Sequence, residues 1–211
     1  MSKLIVFDCD STLSEIEGVD ELARAKGEEV FQKCVQLTND AMGGIVPIAD
    51  VFAKRLDLIQ PSKSLCEEVG EQYIEQVEPT AVSLIEKLKA DDWNIVILSG
   101  GFAEVIKPFA DFLGLTHIEA VPLYFNEDGS YKGYGQDYPT TRNGGKPDII
   151  KELIKSYKAT TTIMVGDGVS DLETQGVASL FIGYGGLVER ASVKDKAEQY
   201  VYKLEDILNY I

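Results

Sequence analysis

Four short apolar runs stand out along the chain: Leu4–Phe7, Ile95–Leu98, Ile163–Val165 and Leu180–Ile182. None alternates with polar residues, so each predicts a strand buried on both faces, as in the parallel sheets of α/β proteins. Between them the apolar positions recur three or four apart, predicting helices over about 79–91, 102–113 and 147–157, the first with Pro79 in its opening turn. Alternation of β and α predicts a doubly wound, Rossmann-like parallel sheet. A crossover between parallel strands needs about a dozen residues or somewhat more, yet 88 residues lie between Asp10 and Ser99. Roughly 60 exceed that need, and they carry helical patterns near 15–26, 29–41, 47–59 and 63–76. The expected organisation is a core of residues 1–14 and 79–211, with a small helical cap, 15–78, inserted after the first strand over the sheet's carboxyl edge. Tyr124–Tyr131, centred on Asp128-Gly129, predicts a hairpin.

Charge narrows the partners. Lys+Arg 20 against Asp+Glu 35 leaves a formal charge of −15, which argues against nucleic acid or an anionic membrane surface. An anionic substrate must then be drawn in by local positive charge. No stretch approaches the ~20 apolar residues of a membrane span, and the first residues lack a signal-peptide pattern, so a cytoplasmic location is expected. The three cysteines, Cys9, Cys34 and Cys66, are widely spaced without a CxxC, which fits reduced structural thiols. None has an arginine six residues on, because those positions are Glu15, Asp40 and Gln72; thiol-based phosphatase chemistry is thereby excluded. His117, the single histidine, excludes a multi-histidine metal site and is expected simply to solvate a loop.

The first apolar run ends in Asp8-Cys9-Asp10-Ser11-Thr12. Side chains two apart on an extended segment point the same way, about 6.5 Å between Cα atoms. Two carboxylates so placed repel unless a cation, a proton or a shared ligand offsets the repulsion. Ligands in open α/β sheets bind beyond the strands' carboxyl ends, and three further segments there suit a phosphoryl ester. Ser99-Gly100-Gly101 is expected to open a helix, offering a hydroxyl and backbone N–H groups to an anion. Gly144-Gly145-Lys146 supplies one cation before a helix, and Gly166-Asp167-Gly168 ends a strand with Asp171 one helical turn on. Mg²⁺ needs only one or two carboxylates beside substrate phosphate and water, which Asp8 and Asp167 would supply. Asp8 would then attack phosphorus, and Asp10, kept protonated for part of the cycle, would protonate the leaving alkoxide.

DCDST, SGG, GGK and GDGVSD, in that order, resemble the four motifs of the haloacid dehalogenase superfamily of phosphohydrolases. AMGGIVP, KRLDLIQPS, IVILSGGF and FIGYGG are similar to the phosphoserine phosphatase family over nearly the whole chain. The resemblance implies Mg²⁺-dependent hydrolysis of O-phospho-L-serine, the last step of serine biosynthesis, through an aspartyl-phosphate. Asp8 is the implied nucleophile and a metal ligand, and Asp10 the acid/base, binding metal through its backbone carbonyl. Ser99 and Gly100 would hold phosphate, Lys146 steady the phosphoaspartate, Asp167 ligate Mg²⁺ and Asp171 support it. From the lid, Glu17 would meet the substrate amine and Arg55 its carboxylate, while Met42 and Gly43 close over it. Arg55 also breaks a helical pattern: it falls within about 20° of Ile48 on the stripe that includes Val51, Phe52 and Ile59. The family often has an aromatic in place of Ile48 and Asn or Thr in place of Ser170. Two alternatives remain: a phosphotransferase or phosphatase of the same superfamily acting on another small phosphomonoester, and, more distantly, a phospho-aspartate receiver. A receiver usually carries its acceptor on a later strand and lacks a lid. Oligomeric state is left open.

Overall fold

The computed structural model describes residues 2–42 and 48–211, with residues 39–42, 48 and 49 given by their backbone alone. Strand β1 (Ser2–Phe7) is followed by four helices, α1 (Gly18–Ala25), α2 (Glu28–Met42), α3 (Ile48–Ile59) and α4 (Lys63–Glu75). Then come α5 (Ala81–Ala90), β2 (Trp93–Phe102), α6 (Ala103–Phe112), β3 (Ile118–Val121) and a hairpin of β4 (Leu123–Phe125) and β5 (Tyr131–Tyr134). The chain finishes with α7 (Gly145–Tyr157), β6 (Ala159–Gly166), α8 (Val169–Leu172), β7 (Leu180–Tyr184), α9 (Ala191–Lys194) and β8 (Gln199–Val201).

Six strands form one parallel sheet in the order β3-β2-β1-β6-β7-β8, as the alternating pattern predicts. Their continuous apolar character has a direct cause. Ile5, Phe7, Ile97 and Val165 enter one core, packed by α5 and α6, whereas Leu4, Val6, Leu98 and Met164 enter a second core with Ile149, Ile150 and Leu153 of α7. Successive residues therefore bury on opposite faces, each fully buried large side chain contributing about 1.5–3 kcal/mol.

Three expectations need correction. The second apolar run does not stop at Ser99: β2 continues through Phe102, and its register against β3 shifts between Leu98 and Phe102. The sequence pattern does not predict the edge strands β3 and β8, because three or four residues with polar ones among them produce no apolar run. His117 does not solvate a loop. Its two ring nitrogens lie 2.7 Å from the Tyr157 hydroxyl and 2.9 Å from Glu119 Oε1, at the entry to β3.

Helices α1 to α4 carry the surplus chain between β1 and α5. Gly70 sets α4 against α6: a Cβ there would lie 2.9 Å from the Val105 carbonyl oxygen and 2.7 Å from Pro108. Among the described residues, no helix is long and apolar enough to cross a membrane.

Candidate active site

Register brings the chemistry to one edge. Phe7 stands opposite Ile97 on one side and Val165 on the other, so the segments that follow β1 and β6 leave the sheet at nearly the same level, beside the far half of β2. They open into a cavity of about 450 Å³ lined by Asp8, Asp10, Ser99, Gly100, Lys146 and Asp167, and on its outer side by Glu17, Asp20, Thr38 and Arg55. Ser170 lies on its rim. Met42 ends α2, where only its backbone is described, and Gly43 lies outside the described residues.

Lys146 is the electrostatic centre of the inner wall. Gly144, at φ +73°, turns the chain into α7 in a conformation that glycine adopts freely, placing Lys146 in the helix's first turn. The ammonium lies 2.9 Å from Asp8 Oδ1 and 2.5 Å from Asp171 Oδ1. Burial opposes its charge, but the two carboxylates prevail and raise its pKa. Asp171 completes itself by accepting the Gly168 N–H on Oδ2 at 2.9 Å. Ser99 is buried and accepts the Gly101 N–H on Oγ at 2.9 Å. The helix that follows starts only at Ala103, so this loop presents extended backbone and not a helix N-terminus. No atom would lie within 4 Å of a Cβ at Gly100, which leaves that position open on the cavity.

The acidic side has room for a cation. One carboxylate oxygen each from Asp8, Asp167 and Asp171 fall within 4.8 Å of one another. Burial, and then the charge of Asp8, push Asp167 up to about 6, although Arg190 opposes this with an Nε contact of 2.8 Å to Oδ2. Crowding of this kind is what a divalent cation offsets. Since both Asp171 oxygens already have partners, Asp8 and Asp167 are the side chains best placed to hold one.

Asp10 is half-buried and its pKa is raised well above the carboxylate range, first by desolvation and then by the nearby charge of Glu17. Its Oδ1 accepts the Tyr73 hydroxyl at 2.5 Å and its Oδ2 the Gly18 N–H at 3.2 Å. Glu17 stands just before α1 and accepts the Ser11 hydroxyl at 2.6 Å; Ser11 itself has φ +53°. Burial raises Glu17 as well. On the outer side, Arg55 reaches Thr38 Oγ1 through NH1 at 3.4 Å, while its buried Nε has no partner among the described residues. Tyr73, Arg190, Ser11 and Thr38 were not singled out from sequence. Ser11 sits inside the acidic motif, but nothing local marks the other three.

Comparison with known proteins agrees with this geometry. The family model for haloacid dehalogenase-like hydrolases matches residues 2–174. The chloroplastic phosphoserine phosphatase of Arabidopsis thaliana is 36% identical over 209 residues, covering 97% of this chain and 70% of the relative. The phosphoserine phosphatase of Homo sapiens is 35% identical over 206 residues, covering 97% and 91%. A solved structure described as a phospho-aspartyl intermediate analogue of phosphoserine phosphatase superposes with a TM-score of 0.84 at 27% identity, covering 100% of this chain and 99% of the other.

Proposed function

The chain belongs to the haloacid dehalogenase-like hydrolase family, and we propose that within it the chain is a phosphoserine phosphatase, hydrolysing O-phospho-L-serine to L-serine and phosphate. The observation that carries the substrate is Arg55. A guanidinium whose buried Nε has no partner among the described residues lines the same cavity as the Asp8–Lys146 pair. A buried unpaired donor is costly, and a carboxylate, which takes a guanidinium bidentately, is its natural complement. Glu17 then meets the substrate's ammonium, and the phosphoryl group lies inward. Residues 15–78 act as a lid over a core made of 1–14 and 79–211, with Met42 and Gly43 contributing to closure.

In the reaction, a carboxylate oxygen of Asp8 bonds to phosphorus as the bond from phosphorus to the serine oxygen breaks. Asp10 gives its proton to the departing alkoxide, then takes one from the water that hydrolyses the aspartyl-phosphate. Lys146, held charged between Asp8 and Asp171, keeps the nucleophile in place and balances the anion that follows. Ser99 and the amide at Gly100 hold the phosphoryl oxygens. Asp8, Asp167 and the Asp10 backbone carbonyl would hold Mg²⁺, which would supply neutralisation of charge on the transferring group.

Phosphoserine turnover with Mg²⁺, read as free phosphate, tests the proposal. Asp8→Asn is expected to abolish turnover while the protein melts as a folded species, and trapping of the intermediate to label Asp8. A label on Ser11 or Thr12, or phosphate appearing on an acceptor alcohol instead of free in solution, overturns it.

A further inference from the structure

We propose that Tyr73 is a positioning residue for Asp10, engaging one carboxylate oxygen so that the other faces the phosphate loop. The proposal deepens the assignment of Asp10 as proton donor and rests on it. Tyr73 belongs to α4, is 1% exposed, and stacks on Phe109 of α6 with ring centroids 5.8 Å apart. That packing needs only the ring. A hydroxyl buried with it must find an acceptor, and the acceptor is Oδ1 of Asp10 at 2.5 Å. The second oxygen, Oδ2, lies on the side of the loop, 3.6 Å from where a Cβ on Gly101 would be. With Oδ1 taken by the phenol, the transferable proton is carried on Oδ2, toward the leaving group.

Gly18 makes the contact possible. A Cβ at that position would lie 2.2 Å from the Tyr73 hydroxyl oxygen, so any side chain there pushes the phenol off. The same residue's N–H reaches Oδ2. Asp10 is thus located by two groups from outside the segment that follows β1, one each from α1 and α4, and its orientation depends on both helices being seated.

Tyr73→Phe keeps the ring and removes one hydrogen bond, so it isolates the effect. On phosphoserine, kcat is expected to fall by about three- to tenfold, the scale of one hydrogen bond to a neutral acid, with KM unchanged. On an aryl phosphate, whose leaving group needs no proton, the loss is expected to stay within about twofold. In an Asp10→Asn background the change should add nothing, because both act through one group. Gly18→Ala reaches the same bond from the other side and should show the same selectivity, which keeps the proposal testable if Tyr73→Phe folds poorly. Equal losses on both esters, or full activity in Tyr73→Phe, overturn the positioning role alone when Asp10→Asn is itself selective. If Asp10→Asn loses both activities equally, the assignment of Asp10 as the acid falls, and this inference with it.

Discussion

At the scale of single residues, specificity depends on Arg55. Val51, Phe52, Leu56 and Ile59 of α3 are buried, yet Arg55, on the same helix, lines the cavity. Burial lowers its pKa while Asp20, the largest opposing influence, supports the charge. Arginine retains its charge in such a setting where lysine would readily lose it. Arg55→Ala should therefore erase most of the preference for phosphoserine over phosphoethanolamine, which lacks the carboxylate. The wild-type margin is expected at about 1.5–3 kcal/mol for a charge-assisted hydrogen bond. Competition between the two esters measures it. Slow hydrolysis of an aryl phosphate should survive the substitution, and equal loss of all activities would make Arg55 structural.

At the scale of elements, α4 packs on both α6 and α1, so its seat on α6 bears on the placement of α1, which carries Asp20 of the outer wall. Gly70 permits that approach, since its missing Cβ leaves the Val105 carbonyl oxygen and the Pro108 ring in contact range. Gly70→Ala gains helix propensity, about 1 kcal/mol, but overpacks the joint at a cost of about 1–3 kcal/mol. A net destabilisation of up to about 2 kcal/mol is expected, read as a lower urea midpoint with little change in slope. A stabilised variant would mean that α4 rides free of α6. Tyr73 lies on the same helix, so the joint also bears on the orientation of Asp10.

Across the whole molecule, an acidic chain brings Asp8, Asp10, Glu17, Asp20 and Asp167 to one cavity against the cations Arg55, Lys146 and Arg190. Asp167, raised to about 6, keeps a proton in the folded state that the unfolded chain has released above about pH 4. The native state then binds more protons than the unfolded state, so this group's contribution to metal-free stability falls as pH rises from about 4 to about 6. A cation competes with that proton. Added Mg²⁺ should raise Tm more at about pH 7.5 than at about pH 5, and at a concentration 100 times its Kd the gain corresponds to about 2.7 kcal/mol. Asp167→Ala should flatten this difference and raise the Mg²⁺ needed for half activity. Equal Tm gains at both pH values in the unmodified protein would place the cation elsewhere.

The central strands and the loops that bear the chemistry were legible in the sequence because both are local signals. A run such as Leu4–Phe7 is apolar throughout only where both sheet faces are covered. Asp8 and Asp167 follow strands and Lys146 opens a helix, where chain direction alone sends them toward one edge, and Ser99 reaches that edge from the far half of β2. Even Arg55 betrayed itself by breaking a helical stripe. The tertiary structure alone decided what those groups touch. The Tyr73 bond to Asp10 closes a separation of 63 residues and the Arg190 bond to Asp167 one of 23, and no periodicity specifies contacts at such distances. It likewise carried β2 past Ser99-Gly100-Gly101, because beyond an irregularity after Leu98 the strand pairs with β3 again at Phe102. The short edges β3 and β8 are strands only because β2 and β7 lie beside them. Composition and local pattern established where charge and backbone would gather; packing of distant elements determined what the oxygens of Asp10 and Asp167 touch.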